Sequence, residues 1–292
     1  MFDNSQPRYL PHLSHPQILN MGLAPLNEGA WIETDNHLQQ YHQHKLQQRI
    51  AGGDKVYQTL PESEPAQREL SAALRHYLCS QQPENYRIDG DKLVCSTANF
   101  RTPVSSEEAL WNCSLWVADD LVIMQADGDD YRLTAASLCS PSHWRLTDKF
   151  AHKLSEIHDP IPGFHDELTP RIKRFMGHLR AQHPVIRFNW SLQASEALQQ
   201  DPEEEPDVTE ATALFYRTER QSLLRLPQTG AIVFTIRVYI HPLESLLLHD
   251  GALEALFKAI DDAPDRLYEY KGFDELEPAL ARYRLEVVNR AI

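Results

Sequence analysis

The spacing of apolar residues predicts that the first third of the chain is mainly helical. Residues 7–29 carry scattered prolines and a Gly-Leu-Ala-Pro-Leu segment, which indicates an extended arm packed against the domain. Residues 36–50 are polar and rich in Gln and His, whereas residues 64–79 place apolar side chains at helical spacing. We therefore expect an N-terminal arm followed by two helices.

The middle of the chain changes to the composition and alternation that are typical of strands. Strands are predicted over residues 92–97, 110–117, 121–125 and 131–138. Asp127-Gly128-Asp129 is the predicted turn before the last of these strands, so this part forms an antiparallel meander. Helical spacing returns over residues 143–153 and again, as a basic amphipathic helix, over residues 168–182.

The C-terminal part combines longer strands with helices. An acidic loop that contains proline, residues 201–207, interrupts the pattern. Strands are predicted over residues 185–192, 211–226 and 231–240, and helices over residues 243–260 and 275–288. Pro227-Gln-Thr-Gly230 provides a tight connection between the two longest strands.

Together these elements predict an α+β fold in which helices flank an antiparallel sheet. We expect residues 1–90, the arm and the first helices, to pack on a core formed by residues 91–292. No clean linker separates the two parts, so they are expected to form one integrated domain.

The charge balance limits the partners. The chain of 292 residues has 42 acidic and 28 basic residues and a formal net charge of −14. Such a negative field repels phosphate backbones and anionic lipids, so neither nucleic acid nor a membrane is an expected partner.

The cysteines and the missing signatures narrow the function further. Cys79, Cys95, Cys113 and Cys139 form no CxxC pair, which argues against a zinc ribbon, an iron–sulfur site and a disulfide framework. The sequence contains no dinucleotide fingerprint, Walker loop, zincin motif or nucleophile elbow. The N-terminus lacks the apolar region of a secretory signal, so we expect a cytoplasmic protein.

One histidine has a sequence context suited to holding a metal. His158 ends a helical pattern in Ile157-His-Asp-Pro-Ile-Pro-Gly163, and the prolines stiffen the backbone behind it. A haem iron binds a neutral imidazole whose other nitrogen is held by a carbonyl or carboxylate, and Glu156 and Asp159 are candidates for that contact. The alternative is that His158 only caps the C-terminus of a helix, which residue spacing alone favours.

A second candidate is the charged strand over residues 216–227. Alternation places Arg217, Glu219, Gln221 and Leu223 on one face and Thr218, Arg220, Ser222 and Leu224 on the other. A buried arginine on either face requires an anion, such as a carboxylate. The alternative is a ladder of Glu219 and arginines on a solvated face.

Two further segments carry polar residues without a clear chemical role. Residues 185–190 place Arg187 and Asn189 on one strand face and Phe188 and Trp190 on the other, where aromatic residues usually form core. Asp119-Asp120 opens a predicted edge strand and is most simply explained as a turn.

The order of these segments along the chain resembles the haem subunit of haem-dependent oxidative N-demethylase. The segments are Met21-Gly-Leu23 with Pro25 and Trp31, Ala118-Asp-Asp-Leu121, Cys139-Ser-Pro-Ser-His-Trp144, Ile157-His-Asp-Pro-Ile-Pro162, Arg187-Phe-Asn-Trp190 and Arg217-Thr-Glu-Arg-Gln-Ser-Leu-Leu-Arg-Leu-Pro227. The resemblance covers nearly the whole chain. It implies a PAS-like antiparallel sheet with flanking helices that enclose a haem pocket.

The resemblance also implies a chemistry. It implies haem b held without a covalent link, which agrees with the absence of CxxCH. The implied reaction is monooxygenase-like: a small secondary amine loses a methyl group, dioxygen is the oxidant and formaldehyde is released. A flavin-containing reductase is the expected partner, since this chain has no motif for its own electron supply.

Within this family we predict three roles for particular residues. His158 is the predicted proximal iron ligand, with His143, His152 and His165 as the next candidates. At least one of Arg220, Arg225 and Arg237 is predicted to pair with a haem propionate. Glu219 is the predicted catalytic residue on the distal side, where it either holds the ammonium form of the amine or passes a proton. A structural ion pair between Glu219 and its neighbouring arginines is an equal alternative.

Two rival functions remain open at this point. The first is a haem-binding sensor or carrier, because PAS-like folds serve that purpose widely and a fold does not fix a function. The second is a protein that keeps the fold and has lost the haem.

Overall fold

The structure is a computed structural model that describes residues 6–18, 20–159, 168–203, 206, 208 and 214–290. Within these residues the chain forms a mixed fold with a larger and a smaller antiparallel sheet, which confirms the α+β prediction. The strands are β1 (Ala24–Pro25), β2 (Tyr57–Thr59), β3 (Tyr86–Asp89), β4 (Lys92–Cys95), β5 (Phe100–Pro103), β6 (Asp120–Asp127), β7 (Asp130–Ser137), β8 (Val185–Gln193), β9 (Phe215–Arg225) and β10 (Ile232–Pro242).

Helices pack around these strands. They are α1 (Pro11–Ser14), α2 (Leu38–Gly52), α3 (Glu64–Gln81), α4 (Ala109–Ser114), α5 (Leu146–Lys149), α6 (Leu154–Ile157), α7 (Thr169–His178), α8 (Ala252–Asp261), α9 (Asp265–Tyr270) and α10 (Phe273–Arg290). Short 3₁₀ turns cover Gly53–Lys55, Pro61–Ser63 and Leu243–Leu248. Within the ranges that the structure describes, no helix combines the length and the apolar character needed to cross a membrane.

The main sheet has the strand order β1-β8-β9-β10-β6-β7-β2, with every neighbouring pair antiparallel. Its centre is the long hairpin of β9 and β10, whose strands pair from Phe215↔Pro242 to Arg225↔Ile232. The two edge strands, β1 and β2, both come from the first 90 residues. The boundary between residues 1–90 and 91–292 stays a prediction.

Several predicted elements differ from the structure. Residues 110–117 contain the short helix α4, not a strand, because a continuous apolar run fits a buried helix as well as a strand. The spacing predicts a helix over residues 143–153, but only Leu146–Lys149 of this range form one, α5. The next helix, α6, begins at Leu154. The strand β4 belongs to the separate small sheet with β3 and β5, so the predicted meander is reduced to the β6–β7 hairpin.

Asp119 lies in a bend directly before β6, as the turn prediction requires, but the prediction of an edge strand is wrong. Strand β6 lies inside the main sheet, between β10 and β7. Asp119 is completely buried, and Asp120 accepts a hydrogen bond of 2.7 Å from the backbone N–H of Ser140. The basic helix predicted over residues 168–182 is confirmed as α7.

Candidate functional site

A cavity of about 540 Å³ lies between one face of the main sheet and the helices α6 and α7. Because side chains alternate along a strand, every second residue of β8, β9 and β10 points into it. The residues on this cavity face include Arg187, Asn189, Glu219, Gln221, Phe234 and Ile236. The volume falls within the range of about 300–1,000 Å³ that is usual for small-molecule sites.

The cavity has an apolar part and a polar part. Helix α7 turns Ile172, Phe175 and Met176 towards the cavity, and α6 contributes Leu154 and Ile157. Pro170 lies in the first turn of α7, where its missing N–H costs no hydrogen bond, and apolar residues at helical spacing then define the inner face. The polar part is formed by the cavity faces of β8 and β9 and by Lys271, which follows α9.

His158 lies in the wall of this cavity, directly after α6. Its Nδ1 lies 2.8 Å from the carbonyl oxygen of Leu154. Because a carbonyl can only accept, Nδ1 carries the proton and Nε2 is the unprotonated nitrogen of the neutral ring. Burial lowers the pKa of His158 to about 4, so the ring is neutral at physiological pH.

The position of His158 is compatible with both explanations that the sequence left open for this residue. The residue does follow the C-terminal end of a helix, and it also faces the cavity with a fixed tautomer. The carboxylate of Glu156 accepts from the backbone N–H of Lys153, while the carbonyl of Leu154 holds the imidazole. The segment 160–163 of this motif lies outside the described residues.

Glu219 lies on the cavity face of β9, as the alternation of this strand predicted. Its carboxylate accepts from Gln221 Nε2 at 2.9 Å, Arg217 Nε at 3.2 Å and Asn189 Nδ2 at 3.4 Å. Burial acts to raise the pKa of Glu219, but Arg217, Asn189 and Lys271 outweigh it and bring this pKa below its ordinary value. Glu219 is therefore an anion at neutral pH.

The environment of Glu219 bears on both roles predicted for it. A carboxylate with a lowered pKa attracts a cation and is a weak proton carrier near neutrality. The structural ion pair between Glu219 and Arg217 is also present. The guanidinium of Arg217 is buried and donates to the carbonyls of Leu198 and Ser140 as well.

Two cations of the polar part were not among the predicted site residues. Arg187 lies on the cavity face of β8 and donates to the carbonyl of Asn20 at 3.1 Å. Lys271 donates to Asn189 Oδ1 at 3.1 Å and to the carbonyl of Trp190 at 2.9 Å. The alternation in residues 185–190 could have identified Arg187, whereas nothing local in the sequence marks Lys271.

Arg220 and Arg237 lie on the opposite face of the sheet and do not line the cavity. They are cross-strand neighbours and bind residues 30–35 of the N-terminal arm. Arg220 donates to the carbonyls of Ala30 and Trp31, and Arg237 donates to the carbonyl of Glu33 and, at 2.7 Å, to Asp35 Oδ2.

Arg225 lies at the end of β9 and also has other partners. Its guanidinium donates to the carbonyls of Met176, Leu179 and Gly230 and to the hydroxyl of Tyr131. It therefore fixes the C-terminal end of α7 on the sheet. The pairing of Arg220, Arg225 or Arg237 with a propionate stays a prediction, and none of the three forms part of this cavity wall.

The other histidine candidates occupy different positions. His143 also lines the cavity, and burial lowers its pKa. His152 is exposed, with Nδ1 3.7 Å from the carboxylate of Glu156. His165 lies outside the described residues. Among those that are described, no three or more His, Cys, Asp or Glu side chains cluster in a way that could hold a metal ion by themselves.

Fold and site define an α+β protein with a cavity on one face of its main sheet, and this cavity has an apolar part and a polar part. A family model described as haem-dependent oxidative N-demethylase, alpha subunit-like, matches residues 22–281. The chain belongs to this family. The match includes every residue discussed above for the cavity except Asn20, and the alpha subunit of the family name implies a partner subunit.

Proposed function

We propose that the cavity binds haem b and that the protein removes a methyl group from a small secondary amine. The observation that carries the proposal is the neutral imidazole of His158, which faces the cavity with its proton held at Nδ1 by the carbonyl of Leu154. This is the arrangement by which proteins prepare histidine to bind a metal through Nε2. Membership of a haem-dependent family supports the same ligand.

The rest of the cavity suits the chemical character of haem. The macrocycle is flat and apolar, and the side chains from α6, α7 and β10 offer apolar walls on the side of His158. The propionates are anions, and the cations Arg187 and Lys271 lie in the polar part of the cavity. A PAS-like core remains our expectation for the architecture around this pocket.

In this proposal Glu219 binds the substrate. Its carboxylate is ionised and is oriented by Asn189, Gln221 and Arg217. An ammonium group is a suitable partner for this oriented anion, because a hydrogen bond between two charged groups is stronger than one between neutral groups. We assign to Glu219 the orientation of the amine in the cavity and not the transfer of a proton.

Haem would supply the chemistry that the side chains lack, which is the use of dioxygen to oxidise the methyl group, released as formaldehyde. The chain's own residues then hold the haem, orient the amine and restrict the entry of water. A partner protein with a flavin, acting as reductase, is expected to deliver the electrons.

The first experiment tests the haem site. Wild-type protein titrated with haem should give a Soret band, and His158→Ala should shift or abolish this band while the fold is retained. His143→Ala is a matched control, because His143 is a second neutral histidine of the same cavity. A spectrum and haem affinity of His158→Ala equal to those of the wild type would contradict the assignment.

The second experiment tests the reaction and the role of Glu219. Loaded protein with a chemical reductant should release formaldehyde from a secondary methylamine, and Glu219→Gln should weaken amine binding by about tenfold or more, since a charged hydrogen bond is worth roughly 1.5–3 kcal/mol. Glu219→Gln keeps the shape of the side chain, so the Soret band should persist. Haem binding without any amine turnover would instead favour a sensor or carrier.

A further inference from the structure

The described residues that line the cavity include three cations, Lys149, Arg187 and Lys271, and two carboxylates, Asp148 and Glu219. The negative charge of Asp148 lies next to Lys149, and Glu219 forms its ion pair with Arg217. Among the described residues, Arg187 and Lys271 have no carboxylate of their own, although the protein as a whole has a net charge of −14.

Arg187 is the clearer of these two cations. Among the described residues no carboxylate lies within 4.0 Å of its guanidinium, and its Nε has no hydrogen-bond partner. An unpartnered Nε is also found in Arg220 and Arg237, so this feature alone distinguishes nothing. The difference is that Arg220 lies 3.4 Å from Glu33 and Arg237 lies 2.7 Å from Asp35, whereas Arg187 points into the cavity.

Lys271 approaches the same space from the other side of Asn189. Two of its three N–H groups are used by Asn189 Oδ1 and the carbonyl of Trp190. Burial lowers the pKa of Lys271 to about 8, with Arg187 acting in the same direction and Glu219 against it. A buried ammonium next to a guanidinium requires an anion, and the described part of the chain provides none beyond Glu219.

We propose that Arg187 and Lys271 bind a carboxylate group carried by a bound molecule. Two molecules offer this chemistry: haem, through a propionate, and an N-methylated amino acid, whose ammonium would meet Glu219 while its carboxylate meets Arg187. The N-methylated amino acid rests on the proposed function, and in this case the substrate is a zwitterion. Asn189 and Glu219 are cross-strand partners, and Arg187 lies two residues before Asn189 on the same face of β8, so the two charges are adjacent.

The first arm of the test compares haem with its dimethyl ester, which lacks the propionate charges. If a propionate is the bound carboxylate, wild-type protein should bind the ester at least about tenfold more weakly than haem, and Arg187→Gln should bind both alike. Affinity is measured by titration of the Soret band. Arg68→Gln is the control, because Arg68 is an exposed arginine paired with Glu64.

The second arm uses N-methylglycine, with dimethylamine as the matched amine without a carboxylate. If the substrate carries the carboxylate, calorimetry on wild-type protein should show at least about tenfold tighter binding of N-methylglycine, and Arg187→Gln should lose this preference. The titration is made with haem-free and haem-loaded protein. Lys271→Met serves as a second variant should Arg187→Gln fail to fold.

The outcomes separate the sources. A preference for haem over its ester, or for N-methylglycine over dimethylamine, supports the site when it depends on Arg187 or Lys271. The absence of both preferences overturns it. If the protein binds no haem, the proposed function fails, and the titration of haem-free protein with N-methylglycine still decides whether a carboxylate site exists.

Discussion

The two faces of the main sheet bury cations in different ways. On the face away from the cavity, Arg220 and Arg237 lie among Glu33, Asp35 and Asp119. On the cavity face, the described residues offer Arg187 and Lys271 one carboxylate to share, Glu219, which already pairs with Arg217. The described part of the chain thus supplies the counter-charges on one face and leaves them to be completed on the other.

The difference indicates which buried charges are structural. A buried cation that keeps its partner holds two segments together, and the arginines of the outer face hold residues 30–35 of the arm against β9 and β10. A buried cation without a partner carries an uncompensated desolvation cost in the folded protein. An unpaired buried cation is kept where a ligand offsets this cost. It therefore indicates a binding site more strongly than a charged residue does by itself.

The largest expected effect concerns the outer face. Arg237→Met should lower the free energy of unfolding by about 3–5 kcal/mol, because it leaves Asp35 without its cation and removes one of the three cations near the buried Asp119. Denaturation in urea at neutral pH measures this change. Arg101→Met, which removes an exposed ion pair with Asp89, should change stability by no more than about 1 kcal/mol.

The matched substitution on the cavity face should behave in the opposite way. Arg187→Met should leave the free energy of unfolding of ligand-free protein unchanged or raise it by about 1 kcal/mol, because it removes an unpaired charge and keeps most of the volume. The same urea series measures it. A loss as large as that of Arg237→Met would show that Arg187 has a structural partner, and the contrast between the two faces would no longer hold.

The sequence predicted the strands of the main sheet, and the alternation of their side chains, better than it predicted which segments cover each face of the sheet. The alternation along residues 217–223 is confirmed, since Glu219 and Gln221 point to the cavity and Arg220 points away from it. The pattern could not tell which face would be covered by the arm and which by α7, because that choice depends on contacts between distant segments. The prediction that at least one of Arg220, Arg225 and Arg237 pairs with a propionate rests on the net-acidic composition of the chain, and it remains a prediction.

Some contacts of the site join residues that are far apart along the chain, whereas other features arise from a short local segment. Lys271 follows α9 and lies 82 positions after Asn189 in the chain, so no local pattern reveals their contact. His158 could be chosen as a candidate from the sequence because its motif is local, with the helix end and the proline-containing segment adjacent in sequence. The short helix α4 was missed because its apolar residues are buried on all sides, which removes the periodicity.

A further expected effect is a dependence of stability on pH that originates on the cavity face. The pKa of Lys271 is about 8 in the folded protein against 10.5 for an ordinary lysine, so the unfolded chain binds more protons between these values. Stability from this residue must therefore rise with pH from about 8 to about 10.5 and be level outside that window. The groups that face Lys271 are Glu219 and Arg187, and neither changes charge there.

This rise is measured as the difference in unfolding free energy between wild-type protein and Lys271→Met, in urea series at about pH 7.5 and about pH 10. Lys258 provides the control. Its exposed ammonium pairs with Asp262, which raises its pKa, so its contribution to stability falls only above about pH 10.5 and Lys258→Met should show no rise between these two pH values. A carboxylate ligand bound beside Lys271 would raise its pKa and reduce the rise. If the difference between wild type and Lys271→Met is the same at both pH values, Lys271 is already compensated by the chain, and both faces of the sheet are complete without a ligand.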